Sequence, residues 1–429
     1  MPAIGEMVLH MGVWAVDTAM VGRLGAVPLS AAGLGGQLYW TLTFVFALGT
    51  GAFALVARHT GAGEPHRARE VTATSIGLAA LLGLGLTVTV WTIGPVVFRI
   101  SGIDPAVTAS ALVYMRITSL AATMLSIHWI GNSIIRATGN TRVPLLITLL
   151  VNGLNLVGDY ALIFGRLGCP ALGLAGAAWA SAAAQAVGGL LTMAFLAWGP
   201  TAARLRWREV FRWRGALVRQ LARLSAPAGL ETLLMDGARA LNLFVIGGLG
   251  AVAVAGHQVT SVAESLSFMP GYGFATAAGI IVGQQLGAGR PREARDGAGA
   301  AWRMGAGFMT LAGVAFLAAP AALVGVFTSD PEVVRAAARL IMIAAVAQPF
   351  IGTTEIYTGA LRGAGDTRSP LLITAIGAWG VRVPVTVVAI RVLGMPIAAA
   401  WWAMVTEWVV RSVLVTMVFR RGRWQQLKL

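Results

Sequence analysis

The chain has 429 residues, of which 57% are hydrophobic and only 11% are charged. A soluble globular domain carries roughly 25% charged residues, so this composition excludes one and indicates a chain embedded in lipid. The formal net charge of +15 would suggest nucleic-acid binding in a soluble protein, but here the basic residues separate apolar segments, as topogenic charges do. We therefore expect no nucleic-acid partner.

Apolar segments of about 20 residues, the length that crosses about 30 Å of hydrocarbon, recur along the whole chain. Interruptions by charge, Pro and Gly delimit twelve predicted spans, numbered 1 to 12 in chain order: 2–22, 29–56, 71–98, 107–134, 143–164, 173–198, 224–248, 252–284, 298–324, 333–360, 370–390 and 395–419. The loops after even-numbered spans hold most of the arginines, which predicts that both termini are cytoplasmic. The single cysteine, Cys169, excludes an intrachain disulfide.

A basic connector at 201–223 separates a predicted N-terminal lobe of six helices, 1–200, from a C-terminal lobe, 224–419, and residues 420–429 form a cytoplasmic tail. The connector contains RLRWREVFRWRGALVRQLAR at 204–223. Its aromatic residues suit the headgroup layer of a membrane, and its arginines suit anionic lipid.

An internal repeat supports this division into lobes. GAGEPHRARE at 61–70 matches GAGRPREARD at 287–296, and IIRATGNTRVPLLIT at 134–148 matches ALRGAGDTRSPLLIT at 360–374, both at an offset of 226 residues. Each copy contains six spans, an even number, so both copies enter the membrane from the same side. The sequence thus predicts an all-α polytopic membrane protein, with twelve transmembrane helices in two six-helix lobes related by a parallel internal repeat.

Charged and amide side chains inside the spans are the first candidates for function, because a carboxylate at mid-bilayer costs about 2.5–3.5 kcal/mol. Asp17 lies in span 1, and Asn155 and Asp159 lie in span 5. Positions four apart share a helix face, so Asn155 and Asp159 can converge on one cation or proton. Oxygen ligands suit Na+, and a buried carboxylate suits a proton relay. The alternative is structural: the acids pair with Arg23 or Arg136, and Asn155 bonds to another helix.

Several motifs in both halves carry a family resemblance: WAVDTAMVGRLG (14–25), the loops GAGEPHRA and GAGRPREA, RATGNTRVP with its partner RGAGDTRSP, and LGLAGAAWAS (172–181). Through them, and over essentially its whole length, the chain resembles the multidrug and toxic compound extrusion (MATE) family of transporters. The resemblance implies alternating-access export of organic, often cationic, compounds in exchange for Na+ or H+. These are coupling ions, and no cofactor is implied. Members of the family have further residues before the proline matching Pro2, so we expect either a short first helix or a start further upstream.

The resemblance also implies site residues. It places Asp17, Asn155 and Asp159 together as the cation site of the N-terminal lobe, with Ser181 as a candidate for an additional hydroxyl ligand. In the C-terminal lobe the candidates for coupling are acids found inside the spans, Asp236, Glu264 and Glu355. Span 10 departs from the family there, because the aspartate of the sodium-coupled members would fall near Ile351, and Glu355 is the nearest acid. Arg239 lies three residues after Asp236, so an intrahelical ion pair is an equal alternative there.

Aromatic and methionine side chains form the predicted substrate surface, because adaptable apolar groups favour promiscuous binding. They are Tyr39, Trp40, Phe268, Met269 and Tyr272. Packing or lipid contact is the alternative role for these residues. No catalytic constellation and no nucleotide-binding lysine motif is present, so we expect a transporter rather than an enzyme.

Two rivals to drug export stay open from the sequence. One is a lipid-linked oligosaccharide flippase of a related fold, and the other is a membrane binding or sensor protein that transports nothing. We expect a monomer, with multiple spans, in the inner (plasma) membrane.

Overall fold

The computed structural model describes residues 16–18, 20–100, 103–210 and 213–427, and these residues are almost entirely helical. The helices follow the predicted spans: Ala26–Leu42 and Leu48–Gly61 (span 2), Pro65–Thr92 and Gly94–Ile100 (3), Pro105–Leu120 and Ala122–Ala137 (4), Arg142–Phe164 (5), Leu174–Trp198 (6), Gly215–Gly247 (7), Ala251–Gly287 (8), Pro291–Ala318 with Pro320–Gly325 (9), Pro331–Ala364 (10), Arg368–Thr374 with Val383–Val387 (11) and Ala398–Arg421 (12). Span 1 is helical where it is described, from residue 16, and most of its predicted range lies outside the described residues.

Membrane-spanning character extends over the whole chain. In the part that the structure describes, nine helices are long and apolar enough to cross a bilayer, and the two helices of span 4, bent by 56°, together make a tenth. Span 7 is a 33-residue helix that carries charged side chains, and the described residues of span 1 are helical. The predicted twelve-helix fold is confirmed.

The chain divides into two compact units, with the boundary between Ser225 and Ala226. Span 7 begins at Gly215, nine residues before its predicted start at 224, because the connector continues as helix instead of ending in a loop. Leu221 in this extension is fully buried, and the Ser225 hydroxyl donates to the Leu48 carbonyl of span 2 at 3.5 Å. The connector therefore packs on the first unit.

In the second unit, spans 8 and 10 approach each other through glycines of span 10. A Cβ atom placed on Gly359 would lie 2.2 Å from the Ala275 carbonyl oxygen, and one on Gly363 would lie 2.2 Å from the Gly279 carbonyl oxygen. Helices in a membrane lack a hydrophobic force between them and associate largely through such close backbone packing. These glycines therefore set the distance between spans 8 and 10.

Span 11 departs from regular α-helix at two places. Ala375–Arg382 and Val388–Val392 have π-helical hydrogen bonding, in which each turn holds an extra residue. Gly377 lies within the first of these segments, and a Cβ there would meet Arg411 Cγ at 2.5 Å. The missing side chain lets span 11 lie directly against the charged face of span 12.

We predict that Gly359→Ala destabilises the protein by about 1–3 kcal/mol, because the added methyl group overlaps a backbone oxygen that cannot move without displacing span 8. Gly307→Ala is the matched control: Gly307 is also helical, but a Cβ there meets nothing within 4 Å. Thermal unfolding in detergent should show a lower Tm for the first variant only. Equal melting temperatures would contradict the close approach of spans 8 and 10.

Candidate functional site

Two carboxyl groups meet inside the first unit, one from span 1 and one from span 5. Asp159 is only 1% exposed, and the side chains of Asp17 and Asp159 lie within hydrogen-bonding reach of each other. Each group also has one buried oxygen, Oδ1, without a hydrogen-bond partner. Two carboxylates this close repel each other, so the pair needs a proton or a cation to neutralise part of its charge.

Asn155 links this pair to span 6. It lies one turn before Asp159 on the same face of span 5, and both side chains are buried. The Asn155 Nδ2 group donates a hydrogen bond to Ser181 Oγ at 3.2 Å, which leaves the amide oxygen available as a ligand. The structure thus places all four predicted residues of the first lobe in one region, with Ser181 reaching it through Asn155.

Two tyrosines border the carboxyl pair. Tyr114, on span 4, is close enough to Asp17 and Asp159 to interact with them electrostatically, and Tyr39 is close to Tyr114. The Tyr39 hydroxyl is buried without a hydrogen-bond partner. Tyr114 could not be selected from the sequence, because one tyrosine in an apolar helix does not reveal which way its ring faces.

The ligand set of this region is small and consists of oxygens. Among the residues that the structure describes, no group of three or more His, Cys, Asp or Glu side chains could hold a metal ion. Two carboxyl groups and an amide oxygen are the donors that a sodium ion takes, and the same carboxyl groups can hold a proton. Within the described residues, the electrostatic interactions that perturb Asp17 and Asp159 are those between the two acids.

The three acids predicted for coupling in the second lobe do not form one cluster within the described residues. Asp236 lies 3.6 Å from Arg239 of the same helix, which is the intrahelical pair considered as the alternative. Glu264 accepts a hydrogen bond from Gln348 Nε2 at 3.5 Å. Glu355, on span 10, interacts electrostatically with Arg411 and Arg362 of spans 12 and 10 and with Glu231 and Arg239 of span 7.

A chain of charges, most of them buried, crosses the second unit instead, and its contacts between helices could not be predicted from the sequence. Arg362 lies 2.8 Å from Glu231, which accepts a hydrogen bond from the Thr374 hydroxyl at 2.9 Å. Arg411 donates to the same hydroxyl at 3.0 Å. One threonine therefore joins a salt bridge between spans 7 and 10 to the charges of span 12.

The chain of charges ends at Glu407, which is 0% exposed. Glu407 contacts Arg411 at 3.4 Å and also forms a salt bridge with Arg382 of span 11. The Arg411 guanidinium lies 4.5 Å from the centre of the Trp408 ring. Glu407 and Arg411 are four residues apart on one helix, so their pairing follows from local spacing, whereas the contact of Glu407 with Arg382 depends on how spans 11 and 12 pack.

The predicted substrate-lining residues lie in both units. In the first, Trp40 is 54% exposed and meets the Trp129 ring edge-on, with centroids 5.9 Å apart. In the second, Phe268 packs against a buried cluster that contains Met309 and Ile351, so it contributes to the core. Tyr272 and Met269 are partly exposed on the same helix.

Comparison with known proteins bears on these sites. A model of the MatE family matches residues 2–161 and, a second time, residues 227–388, so each match covers one copy of the internal repeat. The chain is 30% identical to a probable multidrug resistance protein NorM of Thermotoga maritima, over 99% of this chain and 92% of that protein. It is 28% identical to the multidrug resistance protein PmpM of Pseudomonas aeruginosa, over 86% of this chain and 78% of that protein.

Solved structures share the fold. The chain superposes on an outward-facing multidrug resistance MATE family transporter of the MOP superfamily with a TM-score of 0.92 at 20% identity, covering 100% of this chain and 95% of that one. A MOP superfamily transporter from Pyrococcus furiosus, whose binding pocket is described as having reverse polarity, gives a TM-score of 0.91 at 20% identity, with the same coverage. At this identity the likeness establishes the fold.

We predict that Glu407→Gln destabilises the protein by about 3–5 kcal/mol, because it leaves two buried arginines without their shared carboxylate. The matched control is Glu332→Gln, which removes a carboxylate that is 68% exposed and 4.0 Å from Arg335. An exposed pair of this kind contributes less than about 1 kcal/mol. Thermal unfolding in detergent separates the two, and a Glu407 variant as stable as the control would contradict a structural role for the buried charges.

Proposed function

Because the chain belongs to the MATE family of transporters, we propose that it exports organic, often cationic, compounds in exchange for Na+ or H+ by alternating access. The observation that carries this proposal is the pair of carboxyl groups of Asp17 and Asp159 within the membrane-spanning part of the first unit. The names of its relatives, which are multidrug resistance proteins, support the substrate class.

The cation-binding step follows from the charges of the pair. When a proton or Na+ is bound, the repulsion between the carboxyl groups is relieved and spans 1 and 5 are held together. When the cation leaves, the two carboxylates repel each other and favour a different packing of these spans. A bound cation drives a conformational change only if it binds one arrangement of the spans more tightly than the other. The distance between the two carboxyl groups determines this difference in affinity.

Asn155 and Ser181 position the site. The hydrogen bond from Asn155 to Ser181 fixes the amide, so that its oxygen is the group offered to a cation. We propose that Asp17, Asn155 and Asp159 ligate the coupling ion and that Ser181 orients Asn155, with its hydroxyl as a further ligand.

In the second lobe we propose that Glu264 and Glu355 contribute to coupling more than Asp236 does. Asp236 is compensated by Arg239 one turn away, and its side chain is 28% exposed. Glu355 lies among the charges of Arg362 and Arg411, and Glu264 is held by an amide. A change in protonation or ion binding at either residue would change the electrostatic interactions of the arginines of spans 10 to 12.

Substrate recognition is assigned to aromatic surfaces. Trp40 and Trp129 are in edge contact, and Phe46 stacks on Trp129 with ring centroids 5.8 Å apart. Aromatic faces attract organic cations, which suits a broad range of cationic substrates. Tyr39 contributes a hydroxyl beside the carboxyl pair, and Met269 and Tyr272 are the corresponding candidates in the second lobe.

The chain is a multi-pass membrane protein. We propose that it lies in the inner membrane as a monomer with both termini in the cytoplasm, as the distribution of arginines among its loops favours.

We predict that a sodium or a proton gradient drives efflux of a fluorescent organic cation from proteoliposomes, and that Asp159→Asn abolishes this flux. The asparagine side chain carries no negative charge, whereas the proposed cycle requires a carboxylate that alternately binds and releases a cation. Asp296→Asn is the matched control, since Asp296 is an exposed acid near the start of span 9. Imposing the two gradients separately identifies the coupling ion.

Gradient-driven flux that persists in Asp159→Asn would refute the role of the carboxyl pair. If neither gradient drives flux of any cation in a broad panel, lipid-linked substrates become the better candidates. Binding of the same cations in detergent without any flux would instead favour a sensor.

We further predict that Glu355→Gln lowers coupled flux at least about tenfold, while Asp236→Asn lowers it less than about twofold. The first change alters a carboxyl group enclosed by arginines, and the second alters a partly exposed ion pair of small energetic value. The same vesicle assay, at equal amounts of reconstituted protein, measures both. The reverse order of effects would assign coupling to Asp236.

A further inference from the structure

A cavity outside the transport sites lies where the connector leaves span 6. It measures about 450 Å³ and is lined by three arginines, Arg69, Arg204 and Arg206, and by two tryptophans, Trp198 and Trp207. We call this the arginine–tryptophan cavity. All of its lining residues belong to the first unit, and none of them takes part in the proposed ion or substrate sites.

The connector is held firmly at this place. The Leu205 amide donates to the Leu196 carbonyl at 2.7 Å, and Leu205 is only 3% exposed. Farther along, the Val210 carbonyl approaches span 3 where Gly77 has no side chain: a Cβ there would lie 2.6 Å from that oxygen. Beside the cavity, the connector is therefore packed against both span 6 and span 3.

The arginines carry positive charge that the neighbouring acids leave largely uncompensated. Glu70 is engaged with Arg214 at 3.0 Å, and Glu209 lies 3.7 Å from Arg206. Within the described residues, no carboxylate lies within salt-bridge distance of Arg69 or Arg204, and Arg69 Nε is buried without a hydrogen-bond partner.

A structural role explains part of this arrangement. Arg204 Nε donates to the Ala197 carbonyl at 2.9 Å, which caps the end of span 6 with a positive charge. That bond uses one donor of the guanidinium group and accounts for neither Arg69 nor Arg206. Topogenic charge requires only that arginines lie on one side of the membrane, and it does not require them to line a common cavity.

The tryptophans indicate what the cavity faces. Trp198 is 71% exposed and Trp207 is 51% exposed, one at the end of a span and one on the connector. Exposed tryptophans at the ends of spans lie at the level of the lipid headgroups, where their rings contact glycerol and the upper acyl chains. A ligand in this cavity would contact the guanidinium groups with one part of its structure and the apolar rings with another.

We propose that the arginine–tryptophan cavity binds the phosphate of an anionic phospholipid headgroup. Guanidinium groups pair with phosphate oxygens through two parallel hydrogen bonds, and basic pockets beside transmembrane helices accept such headgroups. Arg69 and Arg204 hold the phosphate, and the tryptophans pack against the glycerol and acyl regions. The bound lipid would tie the connector to spans 3 and 6.

The test titrates the purified full-length chain in detergent with phosphatidylglycerol or phosphatidylcholine and counts bound lipids by native mass spectrometry. We expect phosphatidylglycerol to bind in preference to phosphatidylcholine. Each arginine contributes about fivefold in affinity. The double variant Arg69→Gln/Arg204→Gln should therefore bind at least about tenfold more weakly. Arg208→Gln is the matched control, because it removes an exposed arginine of the connector that does not line the cavity.

Three results would overturn the proposal: equal affinity for the two lipids, equal loss in the control and the double variant, or displacement of phosphatidylglycerol by glycerol phosphate at matching concentrations. The last result would assign the cavity to a soluble phosphate compound. Should the double variant unfold because span 6 loses its cap, Arg69→Gln decides alone, since the cap is made by Arg204 and not by Arg69. It should bind about fivefold more weakly, and unchanged binding would reject the site.

Discussion

The hydrocarbon core offers no water to a backbone amide or to a charged side chain. This constraint governs both the backbone of this chain and the charged side chains within its spans. Backbone groups are satisfied within helices, which explains why the described residues are almost entirely helical. Charges that remain within the spans must find partners inside the same unit or bind something that supplies the missing charge. The two units meet this requirement in different ways.

In the second unit the buried charges satisfy one another. The series that runs from Arg362 to Arg382 alternates in sign, with the Thr374 hydroxyl bridging its two halves. In the first unit the two carboxyl groups have the same sign, and among the described residues the interactions that perturb them are with each other. This contrast is the physical reason for assigning the exchangeable cation to the first unit and a mainly structural role to the series of ion pairs.

Local features of the structure followed from the sequence, whereas those that depend on contacts between distant helices did not. The apolar segments predicted the order of the spans, because hydrophobicity is a property of neighbouring residues, and the repeat at 61–70 and 287–296 predicted two copies of one arrangement. The shared face of Asn155 and Asp159 followed from their spacing of four. The meeting of Arg382 with Glu407 depends on the packing of two helices and on an irregular stretch of backbone. Span 7 begins earlier than predicted because the end of the connector is helical and buries Leu221. The charges of the connector suggested a loop there.

The π-helical segment Ala375–Arg382 has a consequence for comparing this chain with its relatives. A π-helical turn accommodates one residue more than an α-helical turn of the same length, and it rotates all later side chains by about 100° relative to an unbroken α-helix. In an ungapped alignment, a relative that lacks one residue here would present the side chain aligned with Val381, not the one aligned with Arg382, to the glutamate of span 12. Alignment with such a relative therefore needs a one-residue gap inside a helix, at a place where gaps are normally forbidden.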